Sequence, residues 1–307
     1  MLIDRFNRPL TSLRISVTEK CNHKCIFCHR EGLLNYNSAV ELTPGDWGFV
    51  ARVAKSLDIV DAKLTGGEPL VRSDIVEIVR EISEAGLKTS ITTNGSLLDR
   101  YAKGFSEVGV DHINVSLHSL REDVFKAITG GELKRVLSGI EAALDYGLRL
   151  KIDFVLLSWN KEEVPGIIDF AASKGLEVNL IELIPLGVEP DLYSKLHVEA
   201  RLVEDYLAKR AVRVEVREFQ SRPVYHLDNG VRVTVIKGFC NPELCAKCTR
   251  IRFTPDGKIK TCLFRNDTLV DARPSIIARD FNGLVEAFKK ANSLREPFFK
   301  FNKGGLR

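Results

Sequence analysis

Short apolar segments alternate with amphipathic segments along the first two-thirds of the chain. Six of the apolar segments have the length of buried strands, and they cover residues 13–17, 62–64, 89–92, 112–116, 150–156 and 178–183. The intervening segments 75–85, 131–146 and 164–174 carry an apolar face at helical spacing. The repeated order of strand and helix predicts a parallel sheet with right-handed crossover connections. Six units are too few for a complete eight-unit barrel. We therefore expect an α/β fold with a partial (βα)6 TIM-like barrel, although the pattern also fits an open doubly wound sheet.

The pattern changes after Pro185. A helical segment at 198–209 is followed by strand-like segments at 212–216, 231–236, 250–253 and 258–262. Asp228-Asn229-Gly230 and Pro255-Asp256-Gly257 are turn sequences typical of small hairpins. We therefore expect residues 1–190 to form the partial barrel and residues 191–307 to form a smaller, β-containing C-terminal region packed directly on it.

The bulk composition narrows the function classes. The 307 residues carry a net charge of +4 and are 44% hydrophobic. No apolar run approaches the ~20 residues that a membrane helix needs, and the N-terminus is too polar for a secretory signal. No block of lysine and arginine with interleaved aromatic residues suggests a nucleic-acid partner. The sequence predicts a cytoplasmic protein that binds neither nucleic acid nor a membrane.

The seven cysteines are the informative residues. They fall in two groups, Cys21, Cys25 and Cys28, and then Cys240, Cys245, Cys248 and Cys262. In a reducing compartment, clustered cysteines indicate metal or redox chemistry before disulfides. The odd total also argues against a complete disulfide framework.

The first group directly follows the first predicted strand. The Cys-x3-Cys-x2-Cys spacing lets one loop present three thiolates to a single inorganic centre, and a [4Fe–4S] cluster would then keep one iron open for a small molecule. The alternative is a structural zinc site with His23 or His29 as the fourth ligand. Thr65-Gly66-Gly67-Glu68-Pro69 follows the second strand, at the edge where parallel sheets bind ligands. The glycines allow close backbone approach, and the Glu68 carboxylate can accept from an ammonium group.

Together these two motifs resemble the radical S-adenosylmethionine superfamily. The resemblance implies that the open iron binds the amino and carboxylate groups of S-adenosylmethionine, and that one electron from the cluster breaks the sulfonium bond to give a 5′-deoxyadenosyl radical. It implies cofactor contacts at the Gly-Gly-Glu motif and at the ends of the third and fourth strands. These residues are Gly66, Gly67, Glu68, Thr92, Asn94, Ser116 and Ser119.

The second group, Cys245-x2-Cys248-x13-Cys262, contains the turn that would fold its third member back toward the first two. A fourth ligand could be Cys240, or one iron could remain open for a substrate atom, and a zinc ribbon is the alternative. Arg250 and Arg252 alternate on a strand and so project to the same side. Two guanidinium groups beside a metal centre suit a phosphate or purine ligand.

This second region resembles the GTP 3′,8-cyclase family, which begins molybdenum cofactor biosynthesis. The resemblance implies two [4Fe–4S] clusters, the second binding the guanine base. The implied substrate-binding residues are Arg14, Lys63, Lys151, Arg250 and Arg252. Gly304-Gly305 is a counterpart of the family's Gly-Gly tail, which enters the active site. The chain departs from the family at Thr249, where Asn is frequent, and at Asn179, where Arg is frequent.

The implied activity is that of a lyase that converts GTP into (8S)-3′,8-cyclo-7,8-dihydroguanosine 5′-triphosphate. The implied partners are a low-potential electron donor such as a flavodoxin or ferredoxin and the next enzyme of molybdopterin synthesis, with a homodimer also possible. A radical enzyme that modifies peptides and carries an auxiliary cluster is the first alternative, although such enzymes generally have more cysteines near the C-terminus. An iron–sulfur electron carrier or a zinc-stabilised binding module is the second, and it gives the Gly-Gly-Glu-Pro motif no role.

Overall fold

A twelve-stranded sheet runs through the whole of the computed structural model, which describes residues 1–34, 36, 40–239 and 241–298. The strands are β1 (Ser12–Ser16), β2 (Asp61–Thr65), β3 (Lys88–Thr93), β4 (His112–Ser116), β5 (Leu150–Leu156), β6 (Glu177–Glu182), β7 (Ala211–Val216), β8 (Pro223–Leu227), β9 (Arg232–Ile236), β10 (Arg250–Phe253), β11 (Lys258–Lys260) and β12 (Val270–Asp271). Their order across the sheet is β12-β11-β10-β1-β2-β3-β4-β5-β6-β9-β8-β7.

The six N-terminal strands are parallel and adjacent in chain order, as the sequence predicts. The C-terminal region extends the parallel part at both edges, because β10 pairs parallel with β1 and β9 pairs parallel with β6. Antiparallel hairpins complete each edge, through β11 and β12 on one side and β8 and β7 on the other. The sheet therefore continues across residue 190, where the division into two regions stays a sequence prediction.

Helices connect the strands, and most of them pack on the outer face of the sheet. They are α1 (Pro44–Ser56), α2 (Ile75–Glu84), α3 (Leu98–Glu107), α4 (Glu122–Thr129), α5 (Leu133–Asp145), α6 (Val164–Lys174), α7 (Pro190–Leu196), α8 (Arg201–Arg210), α9 (Pro242–Ala246), α10 (Arg273–Ile277) and α11 (Phe281–Ser293). In α2 the buried residues Ile75, Ile78, Val79 and Ile82 follow helical spacing, so one apolar stripe packs on the sheet. Among the described helices, none is both long and apolar enough to cross a membrane.

The two faces of the sheet differ in polarity. In β5 the buried Ile152 and Phe154 alternate with Lys151 and Asp153, which line a cavity on the inner face. The same alternation holds in the neighbouring strands, so the apolar core lies between sheet and helices while the inner face is polar. The sheet curls around this cavity of about 1150 Å³, and the predicted partial barrel is confirmed.

Two details of the C-terminal region were not expected from the sequence. The strand β8 was missed because it begins at a proline and carries His226 among its apolar residues, although proline is tolerated at the first position of a strand. The turn at residues 228–230 therefore joins β8 to β9. The strand β11 ends at Lys260, so Cys262 lies beyond the strand in the following turn.

Candidate active site

The cavity on the inner face of the sheet collects most of the residues that the sequence singled out. The predicted residues that line it are Arg14, Lys63, Gly66, Gly67, Thr92, Ser116, Lys151, Cys245, Cys248, Arg250, Arg252 and Cys262. They reach the cavity from strands that are far apart in the sequence, which the parallel order of the sheet brings together. Cys21, Cys25 and Cys28 are not among the lining residues, although Phe27 and His29 of the same loop are. Glu68, Asn94 and Ser119 do not line the cavity either, and the contacts of their side chains are described below.

The first cysteine group lies on the loop that follows β1. Backbone hydrogen bonds from Lys24 N to Thr129 O (2.8 Å) and from Ile26 N to Ile128 O (3.0 Å) hold this loop against the end of α4. Burial raises the pKa of the Cys25 thiol, and the nearby Cys28 and Cys21 raise it further. The three thiols are therefore close enough to disfavour three thiolates, unless a cationic centre compensates them.

The spacing of these donors bears on the kind of centre they could hold. Within the described ranges, no three Cys, His, Asp or Glu side chains converge closely enough to hold a single metal ion. A [4Fe–4S] cluster binds each thiolate to a different iron, and so it requires a wider spacing of the cysteines than one ion does.

The glycine pair of the Gly-Gly-Glu-Pro motif packs against the start of the cysteine loop. Gly67 N donates to Thr18 O (2.8 Å), and Glu68 N donates to Lys20 O (2.8 Å). A Cβ atom on Gly67 would lie 2.3 Å from Lys20 O, and one on Gly66 would lie 2.4 Å from Thr18 O. Only glycine permits this approach, so the motif positions the residues immediately before Cys21 as well as lining the cavity.

The Glu68 side chain is buried and bonded within the protein. Its carboxylate accepts hydrogen bonds from Thr93 Oγ1 (2.6 Å), Asn94 N (2.6 Å) and Leu70 N (2.9 Å). Burial raises the pKa of this carboxyl to about 7, against the opposing effect of these donors. Glu68 thus joins the end of β3 to the loop after β2, and a contact between its side chain and a cofactor stays a prediction.

Asn94 supports the cysteine loop. Its Nδ2 donates to Asn22 Oδ1 (2.8 Å), and Asn22 Nδ2 donates to Ser96 Oγ (2.9 Å). Asn22 directly follows Cys21, so this network holds the backbone beside Cys21 in place. Ser119 Oγ, by contrast, donates to the Glu163 carboxylate at 2.7 Å, next to the start of α6.

Glu31 connects the two halves of the site, although no motif in the sequence points to it. Its buried carboxylate accepts from Arg14 Nη2 (2.9 Å), Arg252 Nη1 (2.5 Å) and Thr65 Oγ1 (3.0 Å). Burial alone would raise the pKa of Glu31, but the charges of Arg14 and Arg252 outweigh it and hold the pKa well below its usual range. The loop that carries the first cysteine group is therefore ion-paired to the strand that follows Cys248.

The second cysteine group is held through its backbone by an arginine pair that shares Asp4. Arg8 Nη1 donates to Cys245 O (2.8 Å), Arg295 donates to Cys248 O, and both arginines pair with the buried Asp4. Burial raises the pKa of the Cys248 thiol, but the nearby arginines, Arg250 first, bring the pKa below its usual value. The arginines therefore stabilise the thiolate form of Cys248, which is the form that binds a metal.

A second set of arginines in the cavity makes no ion pair with any described residue. Arg250 and Arg222 both lie over the Phe219 ring, with Cζ 5.0 Å and 5.4 Å from its centroid. Burial lowers the pKa of both guanidinium groups, and the neighbouring arginines, led by Arg14, lower it further. Arg222 and Phe219 were not predicted as site residues, because the 3₁₀ turn at Phe219–Ser221 has no recognisable signature.

The predicted lysines lie on the opposite strands of the same cavity. Lys63 Nζ donates to Asn114 Oδ1 (3.0 Å), and burial lowers the pKa of Lys63 to about 7. Lys151 pairs with Glu177 at 2.8 Å. Asn179 donates to Asp153 Oδ1 (2.6 Å) and adds no positive charge to the wall. Cys240 and Gly304-Gly305, which the sequence also singled out, lie outside the described residues.

Two family profiles cover most of the chain. The radical SAM superfamily matches residues 15–171, and the molybdenum cofactor synthesis C family matches residues 176–301. The first match contains the first cysteine group and the glycine motif, and the second contains the second cysteine group and both Arg250 and Arg252. Membership of the radical SAM superfamily means that the chain uses a [4Fe–4S] cluster and S-adenosylmethionine, and the three thiols and the glycine-lined cavity wall fit that pair.

Curated relatives and solved structures agree with this division. A protein of Sulfurisphaera tokodaii named "Probable GTP 3′,8-cyclase" is 43% identical over 310 residues, covering 98% of this chain and 97% of the relative. A protein of Metallosphaera sedula with the same name is 41% identical, and the match again covers 98% of this chain and 97% of the relative. Streptococcus suis SuiB bound to S-adenosylmethionine superposes with a TM-score of 0.66 at 20% identity, covering 92% of this chain and 68% of SuiB. The protein anSMEcpe with bound AdoMet superposes with a TM-score of 0.63 at 17% identity, covering 90% of this chain and 82% of anSMEcpe.

The structural likenesses show the fold, and the sequence relatives show the family. The ion pair of Glu31 with Arg252 connects the two matched regions at the cavity. The chain belongs to the GTP 3′,8-cyclase family of radical S-adenosylmethionine enzymes.

Proposed function

We propose that this protein is a lyase that converts GTP into (8S)-3′,8-cyclo-7,8-dihydroguanosine 5′-triphosphate, the first step of molybdopterin synthesis. The observation that carries the proposal is the arginine-rich wall of the cavity, where Arg14, Arg222, Arg250 and Arg252 lie together. Guanidinium groups bind phosphates in a bidentate manner. The names of the curated relatives supply the nucleotide.

Each cysteine group has a distinct role in this proposal. Cys21, Cys25 and Cys28 hold the [4Fe–4S] cluster, which when bound supplies the electron that cleaves S-adenosylmethionine. Cys245, Cys248 and Cys262 would hold a second [4Fe–4S] cluster, which would bind the guanine base. The support for the second cluster is that all three of its cysteines line the cavity and that nearby arginines favour the Cys248 thiolate.

The chain's own residues bind and orient the two substrates. Arg14, Arg250, Arg252, Lys63 and Lys151 neutralise the triphosphate, and the Glu31 carboxylate fixes Arg14 and Arg252 in one arrangement. On the cofactor side, Gly66, Gly67, Thr92 and Ser116 form the cavity wall beside the first loop. Holding the ribose of GTP next to the cofactor in a closed cavity accelerates the reaction through proximity and protects reactive intermediates from water.

The remaining partners follow from the chemistry. The reaction needs a low-potential electron donor, for which a flavodoxin or ferredoxin is suitable, and its product has to reach the next enzyme of molybdopterin synthesis. We further propose a cytoplasmic location and a homodimer as the working assembly.

An anaerobic assay of cofactor cleavage tests the proposed function. The protein is reconstituted with iron and sulfide and reduced with dithionite, and 5′-deoxyadenosine is then quantified with and without GTP. We expect strong stimulation by GTP and a GTP-derived product of unchanged mass. Cleavage that is indifferent to GTP would keep the radical chemistry but contradict the nucleotide substrate, and stimulation by a peptide would favour the peptide-modifying alternative.

A further inference from the structure

Two arginines that face the cavity lack the carboxylate that their neighbours have. Arg14 and Arg252 are paired by Glu31. Arg222 and Arg250 make no ion pair with any described residue, and the Nε atom of each is buried without a hydrogen-bond partner. A buried donor without a partner costs free energy comparable to a lost hydrogen bond. The wall is therefore short of anionic acceptors at these two residues.

The backbone places Arg222 beside Arg250. The Phe219 ring lies under both guanidinium groups and holds them through cation–π contacts. Gln220 and Ser221 have φ values of 60° and 47°, in the left-handed region that non-glycine residues adopt only when the surrounding structure requires it. The Gln220 side chain also accepts from Arg222. The strained backbone of this turn therefore places a second cation, Arg222, next to Arg250.

Arg222 enters the cavity on the side where β6 offers no cation. Asn179 of β6 is in register with Thr234 of β9, which is in register with Val224 of β8, two residues after Arg222. Asn179 itself is bonded to Asp153. Arg222 is close enough to Asp153 and Arg14 to interact with both charges. The guanidinium group thus supplies positive charge between the Asn179 side of the cavity and the Arg14 side.

We propose that Arg222 and Arg250 together bind a phosphate group of the substrate nucleotide, with Phe219 as the platform that holds both side chains. This inference rests on the proposed function and adds Arg222 to its substrate-binding residues. The phosphate oxygens would accept hydrogen bonds from the parts of both guanidinium groups that line the cavity and would separate the two like charges. The ligand class is a nucleoside triphosphate, since a neutral base or nucleoside offers no such acceptor.

The test measures nucleotide binding by anaerobic calorimetry on the reconstituted protein, using GTP, guanosine and inorganic tripolyphosphate as probes. In Arg222→Gln we expect the dissociation constants of GTP and tripolyphosphate to rise about 10- to 100-fold, as the loss of charge-assisted hydrogen bonds implies. The dissociation constant of guanosine should stay within about twofold of the wild-type value, which is less than the effect of losing one hydrogen bond. In Arg222→Lys we expect a dissociation constant for GTP between those of the wild type and Arg222→Gln, because lysine keeps the charge but lacks the planar guanidinium group. Arg213→Gln, which removes an exposed arginine of β7 outside the cavity, is the matched control.

A second measurement needs no substitution. The wild-type protein is treated with the arginine reagent phenylglyoxal, and modification at Arg222 is followed by mass spectrometry. We expect protection by GTP and tripolyphosphate but not by guanosine. GTP binding that is equal in wild type and Arg222→Gln, or GTP that leaves Arg222 unprotected, would overturn this inference alone. A wild-type protein that binds neither GTP nor tripolyphosphate would overturn the proposed function together with it.

Discussion

The Glu31 carboxylate accepts a 2.5 Å hydrogen bond from the Arg252 guanidinium across 221 residues of sequence. Glu31 lies three residues after Cys28, and Arg252 lies four residues after Cys248. One ion pair thus connects the loop of the first cysteine group with the strand of the second. Because Glu31 also accepts from Arg14, the carboxylate sets the relative positions of two proposed substrate-binding arginines.

Glu31→Gln should impair cyclisation more than cofactor cleavage. The variant leaves the partly buried Arg14 and Arg252 without their counter-ion, and breaking a fully buried pair costs about 3–5 kcal/mol of stability as an upper bound. We expect the yield of cyclised nucleotide per 5′-deoxyadenosine to fall about 10-fold or more, the effect of losing one charged hydrogen bond. Glu77→Gln, an exposed change on α2, is the control. An unchanged ratio of the two products in Glu31→Gln would show that this carboxylate does not position the arginines.

Gly67→Ala should remove the first cluster without unfolding the protein. The added Cβ would lie 2.3 Å from Lys20 O and 2.6 Å from Glu19 O, so the backbone before Cys21 has to move. We expect the iron content to fall toward that of the second site alone, together with the loss of 5′-deoxyadenosine formation. Gly166→Ala on α6 is the matched control, because no atom lies within 4 Å of its added Cβ. Full iron content in Gly67→Ala would contradict the positioning role of the motif.

Glu68 should make the stability of the cluster-free protein depend on pH. Its folded pKa of about 7 exceeds the usual value of 4.5, so the folded state binds the proton more tightly than the unfolded state. The contribution of Glu68 to the free energy of unfolding is fully present below pH 4.5. It falls by about 3 kcal/mol in total as the pH rises to about 7.

Histidines act in the opposite sense over the same range, so the test has to be a difference. Burial lowers the pKa of His112 to about 4 and that of His118 to about 3. Their contribution to the free energy of unfolding therefore grows as the pH rises toward 6.5. Denaturant unfolding of wild type and Glu68→Gln, compared pH by pH, isolates the Glu68 contribution. A difference that stays constant from pH 4.5 to 7 would contradict the raised pKa.

Lys63 should make GTP binding weaken above neutral pH. Burial lowers its pKa to about 7, so the free protein loses this positive charge as the pH rises, and binding of the triphosphate then has to restore the proton. We expect the affinity for GTP to fall by up to about tenfold per pH unit above pH 7. Lys63→Arg, which stays protonated, should remove this part of the dependence. Parallel pH profiles of wild type and Lys63→Arg would exclude Lys63 from the phosphate site.

The fold was largely readable from the sequence because its signals are local. The strands β4, β5 and β10 and the helix α6 have the bounds that apolar periodicity predicts. The strand β8 was hidden by Pro223 and His226.

The site was only partly readable, because its organisation depends on contacts between distant residues. The cysteine spacings and the arginine alternation were visible, but the Glu31 pairing and the turn that brings Arg222 to Arg250 were not. Glu68 and Ser119 illustrate a further limit. A motif reveals which residues are present, but only the fold shows that these side chains bond to Thr93 and Glu163 instead of facing the cavity.

If this cavity brings the ribose of GTP to the cofactor radical, a hydrogen atom of the ribose should be transferred to the cofactor. The reconstituted protein is incubated anaerobically with dithionite, S-adenosylmethionine and GTP that carries deuterium at C3′. We expect 5′-deoxyadenosine with one deuterium and a cyclised nucleotide that has lost it. Unlabelled 5′-deoxyadenosine, with GTP recovered intact and fully labelled, would contradict this expectation.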